Sequence, residues 1–64
     1  MNEKTVKQLL ATLNDRALTD SLQGTYDELV NFALAEPSPE QREAVVETAR
    51  IVQLIKEEIT RRKG

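Results

Sequence analysis

Glu40, Glu43 and Glu47 stand at spacings that share one row of a helix, and Asp27-Glu28 forms a second acidic pair. Two carboxylates act as acid and base, or hold a metal, only when they converge in a concave and partly dry pocket. A small helical chain offers little concavity, so the row reads as a solvated face. The rest of the sequence points the same way. Cysteine and histidine are both absent, which removes disulfides, thiolate nucleophiles and the usual base near neutral pH. The two glycines, Gly24 and Gly64, lie far apart and form no phosphate loop. The expectation is a non-enzyme with no cofactor, no metal and no small-molecule substrate.

Arg61, Arg62 and Lys63 are the other group with chemistry to offer, as candidate phosphate contacts. They lack interleaved aromatics, and cations at the end of a helix are favoured by its dipole regardless of any ligand. The formal net charge of −2 carries no basic excess. Nucleic acid is therefore the lesser reading. The charge is unevenly spread, however. Residues 1–25 sum to zero, residues 26–47 hold six acids against Arg42 alone for −5, and residues 48–64 sum to +3. That alternation suits helices lying antiparallel.

The elements that must position these groups are legible from caps and periodicity. In Pro37-Ser38-Pro39-Glu40-Gln41, Ser38 is a favoured N-cap and Pro39 fits the first helical position. Gln41 stands where a capping box places Glu or Gln. Pro37 disfavours helical geometry at Glu36. One helix therefore ends near Ala35, the turn covers 36–38, and helix C runs over 39–62. A connection this short makes neighbouring helices antiparallel.

In helix C, Ala44, Val45, Ala49, Ile51, Val52, Ile55 and Ile59 fall within an arc of about 160°. Glu47 with Arg50, Glu57 with Arg61, and Glu58 with Arg62 are spaced to pair on its polar side. Val46 and Leu54 lie outside the apolar arc. Helix B is expected over about 19–35, continuous through Gly24, with Leu18, Leu22, Tyr26, Leu29, Val30 and Ala33 on one side. The rival start is Thr25, because Thr25-Tyr26-Asp27-Glu28 is itself a capping box. Tyr26 reads as a core ring with its hydroxyl at the edge, and Phe32 falls beside the stripe. Helix A covers about 3–13, its Val6, Leu9, Leu10 and Leu13 sharing an arc with Ala17. Asn14-Asp15 marks the break after it, with Asp15 as the cap. No segment alternates as a strand. The fold class is all-α: an antiparallel helical hairpin with a short additional N-terminal helix, in a single helical domain over 1–64.

With 64 residues, 39% of them hydrophobic, the chain buries only about 60% of its unfolded surface. Helix packing, self-association or a partner must supply the rest. Helix C is roughly 36 Å long and helix B at most about 25 Å, so the last turns of helix C, with Ile59, should overrun helix B and stay open unless helix A folds back to cover them. Phe32, Val46, Leu54 and Ile59 are then the expected partner-binding residues, since contiguous apolar surface marks contact sites. No apolar run is long enough for a signal peptide or membrane span. The expected setting is cytoplasmic, with no membrane partner.

Leu18, Leu22-Gln23 and Glu28 before the turn, Pro39-Glu40-Gln41 at it, and Ala49-Arg50 after it resemble the small E-type co-chaperones of type III secretion needle subunits. The likeness covers roughly residues 18–59. The Pro37-Ser38-Pro39 turn and helix A depart from it. The resemblance implies two antiparallel helices that help a repeat-helix chaperone keep the needle subunit from polymerising, and no catalytic residue. The function expected is a non-enzymatic co-chaperone or adaptor that buries an apolar helix face against a protein partner or itself, hence a complex or oligomer. The alternative is a small dimeric regulatory protein from a mobile element, binding another protein or DNA through Arg61, Arg62 and Lys63.

Overall fold

The computed structural model describes residues 2–64 and forms three helices: α1 (Glu3–Thr12), α2 (Asp15–Leu34) and α3 (Pro39–Lys63). No strand occurs among the described residues. The chain is all-α, as its periodicity requires. Each helix starts at a side-chain cap. Asn2 accepts from the Thr5 amide at 3.2 Å, Asn14 from the Ala17 amide at 2.7 Å, and Ser38 from the Gln41 amide at 3.1 Å. These bonds satisfy amides that have no partner within the helix.

Two local expectations change. α2 starts at Asp15, four residues before the predicted start at 19. The cap is Asn14 rather than Asp15, and Asp15 sits in the first turn, where the helix dipole favours an acid. Only Leu13 and Asn14 then separate α1 from α2, and α2 passes through Gly24 without interruption. Gln41 does not close a box on Ser38. Its side-chain amide instead crosses to the end of α2, donating to the carbonyl of Phe32 and, at 3.3 Å, to that of Ala35. The residue that opens α3 thereby ties down carbonyls at the end of α2.

The core gathers where all three helices meet. Leu10, Leu18, Leu54 and Ile55 form its buried cluster, with Val6, Leu13, Leu22, Ile51 and Ile59 packed around them. Leu54 was an expected surface residue, and the structure corrects that: it is 2% exposed. At 100° per residue Leu54 shares a second face of α3 with Ile51 and Glu58, and α1 lies against that face. Helix A is expected from the sequence, but its periodicity does not say that it lies against this face.

Ile59 needs a similar correction. α2 has 20 residues, about 30 Å, and its first turn reaches Arg62, whose Nη1 lies 3.0 Å from Asp15 Oδ1. The end of α3 does not overrun α2, and Ile59 is half-buried against the core. No helix among the described residues is long and apolar enough to cross a membrane.

Candidate functional site: an apolar face at the turn end

The end of α2 and the start of α3 lie beyond the reach of α1. α1 runs alongside α3 from Arg50, which binds Glu3, to Arg62, which binds the Leu10 carbonyl at 3.0 Å. Beyond Arg50, α3 has only α2 beside it. The consequence is visible in exposure: Val30 is 55% exposed, Val46 68% and Leu34 81%. Phe32, Ala33, Pro37, Val45 and Val46 line a shallow groove between the helix ends, and Val45, Val46 and Ala49 carry it along α3.

Of the four residues expected to contact a partner, Val46 is exposed on this face and Phe32 is half-buried in its groove. Leu54 and Ile59 belong to the other end and its core. Val30 and Leu34 were missed. Val30 had been placed on the apolar side of helix B with Leu18 and Leu22, yet it falls about 120° around α2 from Leu18. Leu34 is the last residue of α2, and position on the helical wheel says little about exposure there. Leu9, 62% exposed on α1, is a single exposed leucine away from the groove.

Three of the arginines are engaged by contacts within the chain. Arg50 reaches Glu3 on α1 in a two-point pair, Nη2 to Oε1 at 2.8 Å and Nε to Oε2 at 3.1 Å, rather than its helical neighbour Glu47. Arg61 grips Glu58 in the same manner at 2.7 and 2.8 Å, rather than Glu57. Arg62 Nε stands 3.6 Å from Glu58 as well. The Arg50 hydrogen bond holds the Glu3 carboxyl below its ordinary range, against a smaller opposing effect of desolvation. The Arg61 hydrogen bond does the same for Glu58, whose side chain is only 9% exposed. The two carboxylates in turn raise Arg50 and Arg61.

Arg62 deserves description as a junction. Its guanidinium meets Asp15 at the start of α2 and the carbonyls of Leu10 and Ala11 at the end of α1. Its side chain is 21% exposed. Two of the three cations proposed for phosphate contact are thus spent on structure, and Lys63 is exposed at the helix end. Glu40, Glu43 and Glu47 are all exposed. Among the described residues, no group of three or more His, Cys, Asp or Glu is placed to hold a metal ion. Tyr26 is half-buried with Lys56 Nζ 5.5 Å above its ring, a cation–π contact between α2 and α3.

No family model, curated protein or solved structure matches this chain. The functional reading therefore rests on the geometry and the sequence alone.

Proposed function

We propose that α2 and α3 form an antiparallel helical hairpin, buttressed by α1 at one end, that acts as a non-enzymatic protein-binding module of the co-chaperone or adaptor kind. The hairpin is supported by three contacts spaced along the helices: Gln41 with Phe32, Lys56 with Tyr26, and Arg62 with Asp15. The observation that carries the binding role is the joint exposure of Val30, Leu34 and Val46 at the end that α1 leaves open. Water-exposed apolar side chains grouped in this way mark contact surfaces on soluble proteins. The likeness around the turn to type III secretion co-chaperones supports a helical chaperone as one partner, met through Val46 and Phe32.

Co-purification from the native host, comparing the parent chain with the Val30→Asp and Val46→Asp double variant, tests the proposal. The expected result is a stoichiometric protein partner, or an untagged copy of the chain, that the variant loses while its helicity is unchanged. A partner that stays bound to the variant, or a parent chain that comes through alone, refutes the role.

A further inference from the structure

The open side of the α2–α3 pair extends well beyond the turn. α1 packs on α3 at Leu54 and Glu58, near Lys7, Leu10 and Ala11. Val45, Ala49 and Lys56 lie on α3 about 160–200° around from that line, while Val52, 7% exposed, and Ile59, packed against the core, stand at its buried margin. On α2 the residues flanking this second side are Leu22, Tyr26 and Val30. Two shallow grooves lie along it, one holding Leu22 and Ile59 and the other Val45 and Val46. Val30 on α2 and Ala49 and Lys56 on α3 are exposed there.

We propose that a second copy of this chain packs on that side, with the two copies pointing in opposite directions. Size and charge both select this occupant. The molecule measures 38 × 21 × 16 Å, so its broad side is long and wide enough to accommodate the roughly 800 Å² that one partner contributes to a standard protein interface. Residues 26–47, which make up the turn end, carry −5, whereas residues 1–25 and 48–64, which make up the other end, together carry +3. Packing with the same ends together would set two −5 regions side by side. Reversing one copy sets each −5 region against a +3 region, an arrangement that favours encounter and fixes orientation. α3 has 25 residues and a length of about 38 Å, so it spans the whole molecule. Reversed packing about the middle of α3 lays the helix along its own copy, with the two-fold axis level with residue 51, Ala49 of each copy level with Gln53 of the other, and Arg42 level with Thr60. A small residue lies near that axis, and no cation meets another there.

This pairing rests on reading the exposed apolar residues as a docking surface, but its test is separate, because it uses the purified chain alone. Sedimentation equilibrium from micromolar to millimolar concentration should show a reversible approach to twice the mass of one chain. Val30→Asp and Val46→Asp should each raise the dissociation constant about tenfold or more. Both residues are exposed in the single chain, so helicity and thermal midpoint at low concentration should hold. Added salt should weaken the pairing, since it screens the opposed ends. The chain has no cysteine of its own, so orientation can be read by cross-linking. Chains carrying Arg42→Cys should cross-link to chains carrying Thr60→Cys in preference to themselves. A single-chain mass at millimolar concentration overturns the pairing and leaves the docking reading to the host co-purification. Preferential cross-linking of Arg42→Cys chains to each other overturns the orientation and, with it, the charge argument.

Discussion

Where α1, α2 and α3 meet, Leu18 and Ile55 are each 1% exposed and Leu54 2%, whereas at the turn end Val30 and Val46 are more than half in water. The same two long helices run through both regions, with similar aliphatic residues facing out. What differs is a ten-residue helix, α1, which covers α3 between Arg50 and Arg62 and stops there. The difference shows how little is needed to complete a core in so small a chain. A pair of helices buries one face of each, and every further face waits for a third element. One end receives that element from its own sequence. The other end is left with apolar surface and a concentration of negative charge.

The sharpest way to break this comparison is to truncate one aliphatic side chain to alanine at each end. Leu54→Ala should cost about 2–5 kcal/mol, as removal of a large aliphatic group from a packed core does. Domains of this size have roughly 3–10 kcal/mol in total, so the variant should be substantially unfolded at moderate temperature. Val46→Ala in the single chain should change stability by less than about 0.5 kcal/mol. Urea melts at low protein concentration measure both. Equal losses would mean that the two ends are equally packed and that the contrast is illusory.

A smaller effect is expected at Arg62, which holds the three-helix end together from the outside. Replacing it by Met keeps most of the apolar stem and removes the hydrogen bonds to the Leu10 carbonyl and to Asp15, 3.0 Å each. The Asp15 contact contributes little, since that side chain is 91% exposed. The bonds to the α1 carbonyls and the nearby Glu58 are better shielded, and their loss should cost about 1–2 kcal/mol. Amide exchange should accelerate in α1 first. Asp15→Asn, by contrast, should be almost silent in the same melt. A silent Arg62→Met would show that α1 is held by its leucines alone.

The difference between the ends also explains which parts of the fold were legible in the sequence. The Ser38-Pro39 start of α3 was readable because capping chemistry is local, and the apolar arc of α3 was readable because it repeats at helical spacing. Asn14 was read as part of a break, but as a cap it competes with its neighbour Asp15, and only the 2.7 Å bond to the Ala17 amide decides between them. That error shortened α2 and created the apparent overrun at Ile59. Leu54 was misread for a different reason. Its angular position was correct, but whether that angle meets water or α1 depends on tertiary packing. Ion pairs divide in the same way: Glu58 does lie 3.6 Å from Arg62, as spacing within α3 offers, whereas Arg50 passes over Glu47 for Glu3, 47 positions away. Val46 lies in water, as its angle outside the apolar arc suggests, because α1 does not extend to it.

The finest distinction between the ends is in their response to acid. The ion pairs of Glu3 with Arg50, Glu58 with Arg61 and Arg62, and Asp15 with Arg62 all lie where α1 packs. Glu3 and Glu58 have carboxyl groups held below their ordinary range, chiefly by the guanidinium hydrogen bonds. Below the ordinary glutamate value of about 4.3, the unfolded chain therefore takes up protons before the folded chain does. Stability should fall as pH drops from about 5 through that value, and the contribution should vanish once the depressed folded values are passed. A global melt averages over both ends, so residue-resolved amide exchange is the measurement to make. On acidification α1 and the second half of α3 should lose protection before the first turns of α3 do. Glu58→Gln should weaken that acid response at the three-helix end, because the group that titrates there has been removed. Uniform loss of protection along α3, unaltered by Glu58→Gln, would show that these ion pairs do not distinguish the ends.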